Sequence, residues 1–188
     1  MLPKAIGLIG EGGSGKTTAW IYIHDKHPAY RQFSFGHLWY DKAVRLGKIR
    51  AGQVLPDQLK SDIARQVMAK DKLYAIKKMK ELIDITRPVI VDGIREQEAI
   101  EYLQKSYGKE NVVLVGIIAD YKTRRARLKD RDNYTAMQFG HREKVDGRFE
   151  IQKLIDQCDY CLGNSRSVEK LFIPSIDLLY EVLKQRRN

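Results

Sequence analysis

The octamer Gly10-Glu11-Gly12-Gly13-Ser14-Gly15-Lys16-Thr17 constrains this chain more than any other stretch of its 188 residues. It satisfies G-x-x-x-x-G-K-[ST], the Walker A pattern, and its flanks are the ones that pattern needs. Ala5-Ile6-Gly7-Leu8-Ile9 before it reads as a short buried strand, and Thr17 to His24 after it reads as a helix. Strand, glycine loop and helix start together form a loop that binds phosphate. Glycines let backbone N–H groups converge on a polyphosphate where a Cβ would block the approach. The helix N-terminus adds partial positive charge at the same point. Gly12, Gly13, Ser14, Gly15, Lys16, Thr17 and Thr18 are therefore the expected ATP-binding residues. In such a loop the lysine reaches the β- and γ-phosphates, and the Thr17 hydroxyl is expected to ligate Mg²⁺.

A second carboxylate is expected near that metal. Val89-Ile90-Val91 is an apolar strand ending in Asp92-Gly93. Asp92 is placed to face bound Mg²⁺, to orient an acceptor or to accept a proton; the plain alternative is an acid closing a turn. Arg95, three residues on, suits a two-pronged grip on an acceptor phosphate. Further along, Arg124, Arg127 and Arg131 have i, i+3, i+7 spacing and share one helix face. Arginines converging there would stabilise the charge that develops on a phosphoryl group in transfer. Arg142 and Arg148 are candidates to join them when the site closes. The aromatic stretch Phe33 to Tyr40 has two readings. Either Phe35 and His37 wall the ring of an acceptor, or the aromatics turn into the core.

Expected strands cover Ala5–Ile9, Arg31–Gly36, Arg87–Gly93, Val112–Ile118 and the neighbourhood of Cys161. Helices are expected between them: His37–Gly47, one N-capped by Asp57, Lys72–Ile85, Glu96–Lys105, Thr123–Asp130, one ending near Asp156, and Val168–Lys184. Asn133–Gly147 is polar and punctuated by glycine, and reads as a mobile segment. Alternation of strands and helices predicts an α/β fold with a parallel sheet covered on both faces. No repeat or linker interrupts the chain, so residues 1–188 are expected to form one domain.

The formal charge of +10 fits a nucleic-acid partner or an anionic small molecule. No apolar run reaches membrane-spanning length. The glycine loop begins at Gly10, too early for a cleavable leader, and a cytoplasmic location is expected. Cys158 and Cys161 form a C-x-x-C with no second pair and no nearby histidine, which reads as packing rather than a metal or redox site.

Gly10 to Thr18, Val89 to Arg95, and the arginine helix leading to Asp159-Tyr160-Cys161-Leu162-Gly163-Asn164 resemble kinases of the nucleoside-monophosphate-kinase superfamily. The likeness is greatest to little-characterised nucleotide kinases related to dephospho-CoA kinase and common in archaea. Phage deoxynucleoside-monophosphate kinases and animal-type phosphomevalonate kinase have a similar Asp-x-x-Arg strand end. The resemblance implies a three-layer P-loop fold with a five-stranded parallel sheet, a helical acceptor-binding region at about 37–85 and a mobile lid at about 125–148. It also implies that Asn164 lies near the donor's adenine and that Asp92 and Arg95 face the acceptor. One departure concerns the acceptor. Many members carry Gly-Asp followed by an arginine three residues on; here Gly36 is followed by His37, and Tyr40 takes the arginine's place. Either Arg45, Arg65 or Arg95 replaces it, or the acceptor differs.

The expected activity is ATP- and Mg²⁺-dependent phosphoryl transfer to a nucleoside or deoxynucleoside monophosphate, by a monomer or homodimer. Lys16, Asp92, Arg124, Arg127 and Arg131 would be catalytic, and Arg95, Phe35 and His37 would bind the acceptor. The alternatives are a dephospho-CoA-type hydroxyl kinase, a nucleic-acid-binding ATPase or polynucleotide kinase, and a nucleotide-binding regulator without turnover.

Overall fold

Successive side chains of the first strand enter two different apolar layers. In β1 (Ala5–Ile9), Ala5 and Ile9 pack into one core, while Ile6 and Leu8 pack into another. A strand buried on both faces must be apolar at every position, which is why the sequence here does not alternate. The structure is a computed structural model and describes residues 2–132, 135–166 and 169–185, with the backbone alone for Arg131, Asp132 and Glu169.

Four more strands complete the sheet: β2 (Arg31–Ser34), β3 (Val89–Asp92), β4 (Val112–Ile118) and β5 (Tyr160–Gly163). All pairings are parallel, in the order β2-β3-β1-β4-β5. The helices among the described residues are α1 (Lys16–Lys26), α2 (Phe35–Arg45), α3 (Asp57–Lys70), α4 (Tyr74–Leu82), α5 (Gln97–Tyr107), α6 (Tyr121–Asp132), α7 (Ala136–Arg148), α8 (Ile151–Ile155) and α9 (Glu169–Gln185). One core joins Val89, Val91 and Leu114 to Met79 of α4, Ile100 and Leu103 of α5 and Ile151 of α8. The other joins Ile90, Val113 and Val115 to Ile23 of α1 and Phe172 and Ile176 of α9. The result is the expected three-layer α/β architecture.

Register then brings the chemistry-bearing ends together. Leu8 of β1 and Ser34 of β2 both pair with Asp92 of β3. The glycine loop, Asp92 and the start of α2 therefore share the carboxyl edge of the sheet, where ligands bind in parallel α/β folds.

Four local expectations are corrected. The strand expected over Arg31–Gly36 stops at Ser34, because the Ser34 hydroxyl accepts the His37 N–H at 3.4 Å and starts α2 at Phe35. Asp57 does not cap α3; Pro56 holds that position, and the Asp57 carboxylate turns instead to Lys60 and Arg142, each at 2.5 Å. The helix expected over Lys72–Ile85 is trimmed to Tyr74–Leu82. No helix is expected over the polar segment, yet it is helical from Ala136, closed at its start by a capping box between Thr135 and Gln138. Arg142, Glu143 and Asp146 of this helix have partners on neighbouring elements, a compensation that local polarity does not reveal. Asn133 and Tyr134 lie outside the described residues. No helix among those described is long and apolar enough to cross a membrane.

Candidate active site

The glycine loop joins β1 to α1. Gly15 has φ +108°, a left-handed conformation that disfavours any side chain, and it serves as the N-cap of α1. A Cβ there would fall 2.1 Å from Asn164 Nδ2. The Lys16 ammonium folds back over the loop and donates to the carbonyls of Gly10 at 2.8 Å and Glu11 at 3.0 Å. Burial lowers its pKa to about 8, with the Asp92 carboxylate opposing that shift. The buried Ser14 hydroxyl has no hydrogen-bond partner among the described residues.

Asp92 stands beside this loop at the end of β3. Its Oδ1 is buried and also lacks a hydrogen-bond partner among the described residues. Burial raises its pKa, against the charges of Lys16, Arg95 and Arg142. Loop and carboxylate line one continuous cavity of about 950 Å³. Gly12, Gly13, Gly15, Lys16, Thr17 and Thr18 of the loop line it together with Arg127, Asn164 and Ile173. Phe35, Trp39, Lys60, Arg65, Arg95 and Phe149 line it as well.

The arginines divide into two groups. Arg95 lines the cavity, lies 5.4 Å from the centre of the Phe149 ring and pairs with Asp146 at 2.5 Å. Arg127 lines the cavity and donates to Asn164 Oδ1 at 3.1 Å. Arg142 and Arg148 of α7 line it too, with Arg142 held by Asp57 at 2.5 Å. Arg124, expected on the same face, is instead sequestered outside the cavity lining. It is 4% exposed and makes a two-pronged contact with Glu143 at 2.5 and 2.8 Å. Glu11 lies 3.1 Å away, and the Ala119 carbonyl accepts its Nε–H at 3.1 Å. The side chain of Arg131 lies outside the described residues.

The aromatic stretch is split between its two readings. Phe35 touches the cavity but is mostly buried, edge-on to Phe33 at 5.1 Å. His37 does not line the cavity; it is exposed and faces Asp41 at 3.5 Å. Trp39, one turn further along α2, lines the cavity and stacks on Tyr74 at 5.9 Å. Tyr40 uses its hydroxyl to accept the Gly52 N–H at 2.6 Å, and so holds a neighbouring turn. Of the substitute arginines considered, Arg65 and Arg95 reach the cavity and Arg45 does not.

Asn164, expected near the donor's adenine, lines the cavity. Its amide donates to the Ser14 carbonyl at 2.7 Å while its oxygen accepts from Arg127. Both polar ends are committed to the loop and its neighbour. The sequence reading missed Asp146. This residue is 1% exposed and accepts the Gly12 N–H at 2.9 Å. The only local hint is its position four residues after Arg142 on one helix face, 3.5 Å from that guanidinium.

These features are those of a known architecture. Shikimate kinase from Acinetobacter baumannii, solved with shikimate, aligns with TM-score 0.61 at 13% identity, covering 100% of this chain and 97% of that one. Shikimate kinase from Aquifex aeolicus aligns with TM-score 0.56 at 17% identity, over 96% and 98%. The fold is that of the P-loop kinases. No family model matches the sequence. A UPF0200 protein from Thermococcus kodakarensis is 26% identical over 186 residues, covering 95% of this chain and 97% of that protein. A UPF0200/UPF0201 protein from Archaeoglobus fulgidus is 26% identical over 175 residues, and the match takes in 52% of its length.

Proposed function

We propose that the protein transfers the γ-phosphoryl group of ATP to a nucleoside or deoxynucleoside monophosphate. One observation carries this reading: a single cavity is lined by a phosphate loop with Lys16, by Asp92, and by Arg95, Lys60, Arg65 and Trp39. Cations beside an aromatic wall suit an acceptor with both a phosphate and a ring. The names of the structural neighbours, which are small-molecule kinases, agree with the reaction class.

The site fits the group that such chemistry requires. Among the described residues Ser14 Oγ and Asp92 Oδ1 are buried without hydrogen-bond partners, and Thr17 lines the same cavity as Asp92. Mg²⁺ held by Thr17 and Asp92 would offset charge on the donor phosphates. The protein's own residues do the rest. Loop amides and Lys16 hold the β- and γ-phosphates. Arg95 holds the acceptor phosphate, with Arg65 and Lys60 nearby. An acceptor phosphate oxygen attacks the γ-phosphorus, the bond to the β–γ bridging oxygen breaks, and ADP leaves. Arg127, Arg142 and Arg148 line the same cavity and would offset the charge that develops there. Helices α6 and α7 would act as the lid, and α2 to α4 as the acceptor-binding region.

A hydroxyl acceptor, as in dephospho-CoA, is the second reading. The unpartnered Asp92 Oδ1 favours it, because it offers a proton acceptor that a phosphate acceptor does not need.

The test is ADP formation with ATP·Mg²⁺ across ribo- and deoxynucleoside monophosphates, dephospho-CoA and 5′-hydroxyl oligonucleotides. The expected result is turnover with one or a few monophosphates, lost by about a hundredfold or more in Lys16→Ala. Turnover with dephospho-CoA alone selects the second reading. ATP binding without ADP release on any acceptor overturns the kinase assignment.

A further inference from the structure

The reaction proposed above gives no part to the most deeply buried acid at the site. Asp146 projects from α7 into the seam between the glycine loop and the end of β3. Its Oδ2 accepts the Gly12 N–H at 2.9 Å. Arg95 approaches its Oδ1 at 2.5 Å, and Arg142 Nε lies 3.5 Å from Oδ2. A loop amide, the arginine assigned to the acceptor and an arginine of α7 thus converge on one carboxylate. These are the donor groups an incoming phosphate would take, and a carboxylate offers them the same kind of anionic oxygen.

We propose that Asp146 is an internal stand-in for phosphate: it fills the anion position between the glycine loop and Arg95, and ATP binding requires its withdrawal. The inference rests on the nucleotide reading of the loop. Two physical arguments support it. Lys16, Arg95 and Arg142 lie close together; Asp92 and, at Arg142, Asp57 offset part of their mutual repulsion, and Asp146 adds a further negative charge among them. A phosphate arriving at the Gly12 N–H would meet a carboxylate already there, and two anions cannot share that buried donor. Withdrawal also engages α7 as a whole. Arg142 ties that helix to Asp57 of α3, and Glu143 ties it to Arg124 of α6. Nucleotide entry is thereby coupled to movement of the proposed lid. Apparent affinity is lowered by the fraction of molecules in which the position is filled.

The test uses the full chain and compares Asp146→Asn with wild type. Asparagine keeps the shape and loses the charge. Calorimetric titration with ATP is expected to give about tenfold tighter binding to Asp146→Asn. Asp130→Asn is the control: it removes a negative charge from the same cavity wall without touching a loop amide, and its affinity is expected to stay near wild type. In parallel, NMR of wild type follows the Gly12 amide and the Asp146 carboxylate carbon. Both signals are expected to move together when ATP is added, and this readout stands even if the variant does not fold. Equal or weaker ATP binding by Asp146→Asn, an equal gain in Asp130→Asn, or an Asp146 signal unmoved in the ATP complex overturns this inference alone. Failure of ATP to bind either protein overturns the nucleotide reading and this inference with it.

Discussion

The side-chain amide of Asn164 donates to the Ser14 carbonyl at 2.7 Å, tying the end of β5 to a glycine loop 150 positions earlier in the chain. The other end of the same amide accepts from Arg127, so one buried side chain braces the loop and fixes an arginine of the cavity. Asn164→Ala would leave the Ser14 carbonyl buried without that donor, at a cost of about 1–3 kcal/mol. Thermal melting is expected to show the loss, and calorimetry a weaker hold on ATP. Unchanged melting and affinity would show that the brace is dispensable.

Arg124 is expected to behave as a structural residue. Its guanidinium is buried between Glu143 and Glu11. Burial disfavours its charge, but the Glu143 hydrogen bonds and the nearby carboxylates outweigh that and raise its pKa. Arg124→Met leaves both partly exposed acids without this partner, and a loss of about 1–3 kcal/mol is expected in denaturant unfolding. The double variant Arg124→Met, Glu143→Leu should recover part of it. Arg127→Met is expected to do the reverse, lowering turnover more than stability. Equal effects of the two single variants on turnover would return Arg124 to the catalytic group.

Asp120 starts α6 by accepting the Thr123 N–H and hydroxyl, each at 2.8 Å. Those bonds, with help from Ser165, lower its pKa from the ordinary 3.8 to about 2. A depressed carboxylate stabilises the fold fully above its unfolded pKa and ceases to do so as pH falls through the folded value. Asp120→Ala is expected to lower the melting temperature by about 2–4 °C at neutral pH. That gap should stay constant down to about pH 4 and shrink as pH falls towards 2. A gap independent of pH across that window would sink the capping account.

The C-x-x-C is expected to be poorly reactive at Cys158. Its Sγ packs beside Gly116 and faces the Leu154 carbonyl at 3.5 Å. Burial, then the neighbouring Cys161 and Asp159, push the thiol up to about 12. Almost no thiolate exists at pH 8, and the thiolate is the nucleophile. Mass spectrometry after brief iodoacetamide treatment is expected to find Cys158 unmodified in the native protein and modified after denaturation. Rapid native labelling would point to a reactive thiol.

Local order alone was enough to read β1, the glycine loop, α1 and β4, because each depends on a continuous apolar run or on residue types that one loop geometry demands. The same holds for Asp92 and Arg95, whose positions follow from the end of an apolar strand. What the order of residues left undetermined was the pairing of charges across the fold. Arg124 and Arg127 sit three positions apart on one helix and read alike, yet Glu143 claims the first while the second reaches the cavity. Asp146 reads as one more charge in a polar segment until α7 brings it against Gly12 and Arg95. Hydrophobic periodicity is a local property and survives in the sequence. An ion pair depends on which elements meet, and only the packed structure decides that.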